Sequence, residues 1–310
     1  MDYQAFVESQ ITELQEKVGD SRAINALSGG VDSSVVTVLA HRALGDCLKT
    51  CFIDSALMRE GEPQRVVKIF ADMGIPVELV DAGAEFLEAL KGLTDPEEKR
   101  QAVTNTFYSR VFRRLVKESG AKYLLHGTIL TDIEETVAGI KRQHNILAQL
   151  GIDPQEAYGY TVLEPLKTLR KDGVRKVAKV LGLPAEITQR IPFPGPALAT
   201  RIVGEVTQER LKIVRAATQI VEEELKESGA FQYLAVLLND RATGIRNGRR
   251  EFGQIIVVRC LESVDARTAL PTELPWPTLR KICARITLIE GVNRCLYDLT
   301  PKPPATIEYI

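Results

Sequence analysis

The sequence predicts an α/β fold with a parallel sheet, followed by a smaller α+β domain. From residue 23 to residue 181, short apolar runs alternate with amphipathic helical patterns, which is typical of a parallel sheet with right-handed crossovers. A glycine-rich turn separates the first of these runs from the next helix. After residue 200 the order becomes helix, strand, strand, helix, strand, which favours a small α+β domain.

The apolar spacing predicts the elements of the first half one by one. A period of three to four residues indicates a helix, and a short apolar run bounded by turn residues indicates a strand. Asp95 is a typical N-cap, and Pro96 is suited to a first helical position. The predicted helices are 5–18, 35–43, 62–74, 96–119 and 171–181, and the predicted strands are 23–28, 48–53, 76–80, 123–125 and 162–165.

Residues 129–160 are the least regular part of the first half, and they are strongly charged. They follow the end of a predicted strand, where ligands bind in parallel sheets. This position favours a mobile lid that would cover an active site. A solvated surface loop with a polar helix is the alternative.

A proline-rich segment, Arg190 to Pro196, divides the chain. Three prolines and a glycine in five residues exclude a helix or a central strand. We therefore predict domains at 1–190, including the lid, and at 191–310. The second domain is predicted to contain helices 207–227 and 277–289 and strands 234–238, 254–261 and 294–299. A three-stranded sheet with helices on one face leaves the other face uncovered, which favours a homodimer.

The glycine-rich turn reads Leu27-Ser28-Gly29-Gly30-Val31-Asp32-Ser33-Ser34. Paired glycines allow the backbone to approach a ligand, and a helix N-terminus attracts anions. Three serine hydroxyls add donors, and Asp32 is suited to hold a Mg²⁺ ion that phosphates also bind. No lysine follows the glycines, so the turn is not a Walker A motif. A tight turn without a ligand is the alternative.

Composition narrows the range of function classes. The 310 residues carry a net charge of −1 and are 45% hydrophobic, as in a soluble enzyme. No run approaches the ~20 apolar residues of a membrane span, and no signal peptide is evident. The balanced charge makes nucleic acid an unexpected partner. Five cysteines without Cys-x-x-Cys spacing indicate a cytoplasmic protein and weaken a sulfur-transfer function.

Three segments together resemble one family. The turn at 28–34 resembles the pyrophosphate loop of the N-type ATP pyrophosphatases. The segment Pro192-Phe193-Pro194-Gly195-Pro196 and the C-terminal run Lys302-Pro303-Pro304-Ala305-Thr306-Ile307-Glu308, in this order, resemble GMP synthetases. The resemblance covers nearly the whole chain. It implies an adenine nucleotide alpha hydrolase-like ATP pyrophosphatase domain followed by a dimerisation domain that binds xanthosine 5′-monophosphate (XMP).

The resemblance also implies a reaction and its residues. XMP is adenylated by ATP with loss of pyrophosphate, and ammonia then displaces AMP to give GMP. Asp32, which would hold Mg²⁺, and Lys141 in the lid are the implied catalytic residues. ATP would be bound by Ser28, Gly29, Gly30, Val31, Asp32, Ser33, Ser34, Asp54, Gly127 and Thr128, and XMP by Pro194, Gly195, Pro196, Arg201, Lys302, Thr306, Ile307 and Glu308.

The sequence has no counterpart of a glutamine amidotransferase domain, so the resemblance implies a separate glutaminase subunit as partner. The chain departs from the family pattern in the lid, where Gln143 replaces a histidine and no glycine pair follows Asn145, and at Ala197, where the family has glycine. A divergent ATP pyrophosphatase that adenylates another nucleotide or a tRNA base is therefore an alternative. A catalytically idle assembly subunit is a third hypothesis, although the turn is intact.

Overall fold

The computed structural model describes residues 1–137, 160–264 and 266–310. The chain forms two compact units. The first unit contains residues 1–54, 63–82 and 104–190, and the second contains 55–62, 83–103 and 191–310. The second unit thus includes two segments from the first half of the sequence. The division into functional domains at residue 190 stays a prediction.

The described residues form helices and strands in the following order. The helices are α1 (Tyr3–Val18), α2 (Val31–Leu44), α3 (Glu62–Asp72), α4 (Gly83–Leu90), α5 (Pro96–Asn105), α6 (Arg113–Ser119), α7 (Leu130–Val137), α8 (Lys171–Val180), α9 (Ala185–Thr188), α10 (Gln208–Leu225) and α11 (Trp276–Ile286). The strands are β1 (Ala23–Ala26), β2 (Leu48–Asp54), β3 (Glu78–Asp81), β4 (Tyr123–Leu125), β5 (Thr161–Leu163), β6 (Gln232–Arg246), β7 (Arg249–Glu262), β8 (Leu270–Pro271) and β9 (Val292–Tyr297). Two short 3₁₀ helices, Gly45–Cys47 and Ala197–Arg201, and a π-helical segment, Thr106–Phe112, complete the set.

The first unit is built on a five-stranded parallel sheet with the order β3-β2-β1-β4-β5. This confirms the predicted α/β fold. β1 lies in the middle of the sheet, and helices α1, α2 and α8 contact one another beside it. The turn between β1 and α2 therefore emerges at the centre of the carboxyl edge of the sheet, where ligands bind in such folds.

A buried asparagine fixes β1 to its neighbours. The side-chain Nδ2 of Asn25 donates to Thr37 Oγ1 at 2.7 Å, and its Oδ1 accepts from Thr50 Oγ1 at 2.7 Å. Thr37 lies in α2 and Thr50 in β2, and all three side chains are buried. Because buried polar groups are costly unless they are paired, this network holds the strand and helix that flank the turn.

Two helices of the first unit differ from the prediction. α2 begins at Val31 rather than at residue 35, so Asp32, Ser33 and Ser34 belong to the first helical turn and not to a loop. The predicted helix 96–119 is interrupted by the π-helical segment Thr106–Phe112. Apolar spacing alone does not reveal such a segment, since i, i+4 and i, i+5 neighbours are both present there. The predicted N-cap is confirmed, because Asp95 Oδ1 accepts from the backbone N–H groups of Glu97 and Glu98.

The second unit contains a four-stranded sheet, so the prediction of three strands was wrong. β6 and β7 form an antiparallel hairpin, while β8 and β9 pair with β7 in antiparallel and parallel orientation. The strands predicted at 234–238 and 254–261 extend to a two-residue turn at Asn247 and Gly248, which both have positive φ, as such turns require. The outer part of the hairpin is rich in polar residues, so it has no apolar run from which strands could be predicted. α10 packs on β6, and Thr207 is its N-cap, because Thr207 Oγ1 accepts from the backbone N–H of Arg210.

No helix in the described ranges is long and apolar enough to cross a membrane.

Candidate functional site

The turn between β1 and α2 requires glycine at one position. Gly29 has a φ of +75°, which L side chains rarely adopt. A Cβ atom at Gly29 would lie 2.6 Å from Arg190 Nη1 and 3.0 Å from Val66 Cγ2. Arg190 Nη1 also donates to the carbonyl oxygen of Gly29 at 2.8 Å. The left-handed backbone and this close contact together determine the shape of the turn.

Serine hydroxyls close the turn onto the first helical residues. The Ser33 hydroxyl accepts from the backbone N–H of Ser28 at 3.2 Å and donates to the carbonyl oxygen of Gly30 at 3.1 Å. The hydroxyl oxygens of Ser28 and Ser33 lie 2.9 Å apart. Gly30 is the N-cap of α2 and has no side chain to occupy the first N–H groups of the helix. Those groups are therefore suited to bind an anion.

Asp32, in the first turn of α2, forms an ion pair with Lys171. Lys171 Nζ lies 2.5 Å from Asp32 Oδ2. Asp32 Oδ1 is shielded from solvent and has no hydrogen-bond partner among the described residues. One carboxylate oxygen is thus neutralised, and the other is available. An orphaned, shielded carboxylate oxygen fits a divalent cation that takes its remaining ligands from phosphate oxygens.

A cavity of about 230 Å³ lies beside the turn. On one side it is lined by Phe107, Tyr108 and Phe112 from the π-helical segment. The rings of Phe107 and Phe112 are nearly parallel, with centroids 6.1 Å apart. Burial raises the pKa of Tyr108 to about 12, so the phenol stays neutral near pH 7. An aromatic wall beside a turn with uncapped helix N–H groups suits a ligand that combines a planar ring with phosphates.

The cavity brings together only some of the residues predicted to form this site. Ser28, Gly30, Asp32, Ser33 and Gly127 line it. Its lining does not include Gly29, Val31, Ser34, Asp54 or Thr128. Ser34 is fully buried within α2, and Thr128 is buried and donates to Glu164 Oε1 at 2.5 Å. Lys141 and most of the predicted lid lie outside the described residues, and α7 forms the first part of the lid region.

Sequence reasoning missed several residues of this site. The sequence could have indicated Lys171. A cation in the first turn of a helix interacts unfavourably with the helix dipole, so its presence there suggests a partner outside the helix. The sequence contains no such indication for Arg190 and the π-helical aromatic residues, since their proximity to the turn depends on the tertiary fold.

In the second unit, Arg201 and Glu308 meet in a bidentate ion pair. Arg201 is fully buried. Its Nε donates to Glu308 Oε2 at 3.1 Å, and its Nη2 donates to Oε1 at 3.0 Å. Gln232 Nε2 donates to the same Oε1 at 2.5 Å. Two residues that the sequence predicted for one site, about 100 positions apart, therefore lie in direct contact.

The C-terminal tail is held by a second buried arginine. Arg259, on β7, pairs with Asp298 Oδ2 at 2.5 Å and donates to three backbone carbonyl oxygens of the tail, those of Thr300, Thr306 and Ile307. Lys302 Nζ donates to the carbonyl oxygen of Ala266 at 2.8 Å, and Thr306 Oγ1 donates to the carbonyl oxygen of Glu308. The predicted tail residues thus form an ordered strap, and Arg259 was missed because it lies far from the tail in sequence.

The proline-rich segment leads into the 3₁₀ helix that carries Arg201. The carbonyl oxygen of Pro194 accepts from the N–H of Ala197 at 2.9 Å, and Gly195 is exposed between them. Ala197, which follows Pro196, has a φ of +53°. A left-handed alanine is strained by roughly 1–2 kcal/mol, so the replacement of the family's glycine keeps the turn at a cost in stability.

Comparisons with known proteins cover both units. The family model described as "NAD synthase" matches residues 3–139, and the model "GMP synthase C terminal domain" matches residues 218–309. The chain is 53% identical to a subunit of the glutamine-hydrolyzing GMP synthase of Archaeoglobus fulgidus and 48% identical to the corresponding subunit of Pyrococcus horikoshii, over 100% of each chain in both cases. Among solved structures, an NH3-dependent NAD synthetase from Campylobacter jejuni is 18% identical with a TM-score of 0.48, over 63% of this chain and 80% of that one.

The strained turn gives a first prediction. We expect Gly29→Ala to lower the free energy of unfolding by about 2–4 kcal/mol, because it adds left-handed strain and a clash with Arg190. Gly30→Ala is the matched control. Gly30 has a negative φ, and its nearest contact would be Ser28 Oγ at 3.5 Å, so its cost should stay below about 1 kcal/mol. Urea unfolding of both variants measures the difference, and equal costs would contradict the assignment of strain to Gly29.

Proposed function

The chain belongs to the family of GMP synthase ATP pyrophosphatase subunits, which are ligases of the N-type ATP pyrophosphatase class, and from this premise we propose that it converts XMP to GMP through an adenylated intermediate. The observation that carries the proposal is the anion-binding turn between β1 and α2 with Asp32 and Lys171 beside it. ATP, XMP and ammonia are the proposed substrates.

The proposed reaction has two steps. The C2 oxygen of XMP attacks the α-phosphorus of ATP, a new P–O bond forms, and the bond to the leaving pyrophosphate breaks. Ammonia then attacks C2 and loses a proton, and AMP leaves with the former C2 oxygen. The adenyl group is needed because a purine C2 oxygen is a poor leaving group, whereas AMP is a good one.

We propose that the first unit binds ATP with its phosphates at the turn. The N–H groups of Val31, Asp32 and Ser33 and the Ser28 hydroxyl would contact the phosphates, since the start of α2 has no side-chain cap. The aromatic side of the cavity, formed by Phe107, Tyr108 and Phe112, is suited to a purine ring. Asp54, Gly127 and Thr128 remain proposed ATP-site residues at the same edge of the sheet, and Lys141 remains a proposed catalytic residue.

Mg²⁺ is the proposed cofactor, with Asp32 as its protein ligand. The orphaned Oδ1 of Asp32 supports this proposal. A bound Mg²⁺ supplies charge neutralisation for the pyrophosphate that leaves. Lys171 would serve the same phosphates as a second cation, because its ammonium group already lies at the carboxylate. These two groups and the helix N-terminus concentrate positive potential where negative charge grows.

We propose that the second unit recognises XMP, through the proline-rich segment and the C-terminal tail. Pro194, Gly195, Pro196, Arg201, Lys302, Thr306, Ile307 and Glu308 are the proposed contributors. The buried pair of Arg201 and Glu308 supports this proposal, as does the anchoring of the tail by Arg259. Ammonia would come from a separate glutamine amidotransferase subunit, since the relatives are themselves named as single subunits of a glutamine-hydrolyzing enzyme.

Homodimerisation through the second unit is also a proposal. Four large apolar side chains on or next to β8, α11 and β9 are strongly exposed, namely Leu270 (66%), Trp276 (64%), Leu296 (42%) and Leu299 (70%). A cavity of about 380 Å³ between α11 and β9 is lined by Trp276 and Leu296, by the partly buried Leu279 and by the buried Ile282. Large exposed apolar patches are uncommon on a monomer, and Trp276 and Leu296 line the same cavity. A second copy of the same surface is the proposed occupant.

We also propose a cytoplasmic location, which the five free thiols support.

An assay with the purified chain tests the proposed reaction. With ATP, Mg²⁺, XMP and an ammonium salt, we expect equal amounts of GMP, AMP and pyrophosphate by chromatography. Glutamine in place of ammonium should give no GMP until the partner subunit is added. AMP formed only with another nucleotide or a tRNA would overturn XMP as the acceptor, and no ATP turnover with any acceptor would indicate an assembly subunit.

Asp32→Asn tests the role of the carboxylate. We expect the rate of pyrophosphate release to fall by about 100-fold or more, since a group that stabilises transition-state charge is lost. The free energy of unfolding should change by no more than about 1 kcal/mol, because the Lys171 pair is partly exposed. Asp72→Asn is the matched control, as it removes an exposed carboxylate paired with Lys68. Equal rates in both variants would exclude the proposed role of Asp32.

Leu296→Glu tests the proposed dimer. Light scattering should give twice the mass of the chain for the wild type and the mass of one chain for the variant, because a charge would be buried in the apolar contact. Val180→Glu in the first unit, where Val180 is 38% exposed, should remain dimeric. A monomeric wild type at micromolar concentration would rule out this surface as a stable dimer contact.

A further inference from the structure

Two of the five free cysteines line the same cavity in the second unit. Cys283 belongs to α11 and Cys295 belongs to β9, and both line the cavity of about 380 Å³ between these elements. α11 and β9 contact each other, and each of the two cysteines is half-buried. Two thiols on neighbouring elements that open to the same space can react with each other as well as with a reagent.

The thiol of Cys295 is hydrogen-bonded to Cys283. Burial, and after it the neighbouring Cys283, raises the pKa of Cys295 to about 12, so Cys295 stays protonated near pH 7. A hydrogen bond that raises this pKa is one in which the Cys295 S–H group donates and the Cys283 sulfur accepts. The two sulfur atoms are therefore in direct contact, and only a short further approach separates them from an S–S bond of about 2.05 Å.

The other three cysteines of the chain are placed differently. Cys51 is fully buried in β2, where its Sγ donates to the carbonyl oxygen of Asn25 at 3.4 Å. Cys260 is fully buried in β7. Cys47 is half-buried and lines another cavity, in the first unit, whose lining residues include no second cysteine. Cys47 is therefore a single accessible thiol with which the pair can be compared.

The cavity around the pair is largely apolar and contains one cation. Arg280 is the only charged residue in its lining, and the Arg280 Cζ atom lies 5.9 Å from the ring centroid of Trp276. An arginine at this place favours an anionic reagent over a neutral one. Trp276 is the only tryptophan of the chain, so its fluorescence reports on this cavity.

We propose that Cys283 and Cys295 form a dithiol site that a small anionic disulfide, of the class of oxidised glutathione, converts to an intramolecular disulfide. The Cys283 thiolate attacks one sulfur of the small disulfide, so that a mixed disulfide forms and one small thiolate leaves. Cys295 then loses its proton and attacks Cys283 Sγ, and the second small thiolate leaves. Two protein thiols are oxidised, the small disulfide is reduced, and the two protons pass to the two small thiolates. An excess of the small thiol reverses both steps.

The new bond would attach α11 covalently to β9. α11 is already tied to α10, because Lys281 and Arg285 both form ion pairs with Glu224. The disulfide would close the segment 283–295 into a loop, and a closed loop stabilises a fold mainly by restricting the unfolded chain. We therefore expect the oxidised chain to resist unfolding better than the reduced chain. This site lies outside the proposed ATP-binding residues, and its chemistry does not depend on the proposed reaction.

Oxidised glutathione added to the full-length chain tests the proposal, with Cys47→Ser as the matched control. In this variant, which keeps the pair, we expect the loss of two thiols, a mass lower by two hydrogen atoms, and one cross-link between the peptides that contain Cys283 and Cys295. The wild type should form the same cross-link within single chains. Glutathione retained at Cys283 in the wild type, a link between two chains, or two thiols that stay reduced would each overturn the proposal.

Serine variants of the pair test the order of the two steps. In Cys295→Ser, glutathione should remain at Cys283 as a stable mixed disulfide, because the thiol that would displace it is absent. In Cys283→Ser, Cys295 should stay reduced, since it is the protonated partner. The reverse pattern would overturn the assignment of Cys283 as the attacking thiol.

Urea unfolding measures the effect of the bond on the fold. The midpoint of the oxidised wild type should be higher than that of the reduced wild type, and the fluorescence of Trp276 should change on oxidation. Neither serine variant of the pair should show the shift in midpoint, whereas Cys47→Ser should show it in full. A shift of the same size in the serine variants of the pair would assign the stabilisation to another site and overturn the proposed attachment of α11 to β9.

The failure of this proposal is distinguishable from a failure of the proposed dimer. A second copy on this surface would slow the reaction as the concentration of the chain rises, so the treatment is made over a dilution series. The cross-link is expected in the most dilute sample, whether or not the chain dimerises. Its absence there overturns the dithiol site alone.

Discussion

The left-handed backbone at Gly29 is the constraint on which the first unit depends. β1 lies in the middle of the parallel sheet, and the chain must reverse there within a few residues to enter α2 at Val31. Arg190 and Val66 close on the side where a Cβ would be, so the turn is held from outside as well as by its own serines. This tight reversal exposes the first N–H groups of α2 and brings Asp32 beside Lys171. A looser turn would leave the first N–H groups of α2 without a common direction.

Buried charge organises the second unit in a comparable way. Arg201 and Arg259 are both nearly inaccessible to solvent, and a buried guanidinium must be paired. Both find their partners in the C-terminal tail, Arg201 in Glu308 and Arg259 in Asp298 and backbone carbonyl oxygens. The tail is therefore part of the core of this unit, and its order follows from the need to neutralise two arginines. Because Arg259 binds mainly backbone carbonyl oxygens, it constrains the path of the tail backbone more than the positions of the tail side chains.

The sequence predicted most of the fold because alternation of apolar runs and amphipathic helices is a local signal. It also predicted the turn, since Gly29 and Gly30 stand between a strand and a helix. It did not predict the π-helical segment, where Phe107 and Phe112 are compatible with an ordinary helix, or the long hairpin, whose outer residues are polar. In the sites, Arg201 and Glu308 were found through family resemblance, whereas Arg190 and Arg259 were not. Their roles arise from contacts about 160 and 40–50 positions away, which spacing does not encode.

Ala197 is a departure from the family pattern that the backbone accommodates. The position needs a left-handed backbone, and alanine adopts it at a cost that glycine avoids. The residue is buried and followed within the same 3₁₀ helix by Arg201, so its strain acts on the support of the guanidinium group. That support does not depend on residue 197 alone, because Glu308 and Phe193 hold Arg201 from an edge and a face. A strained backbone is tolerated here since the side chain it carries is fixed by independent contacts.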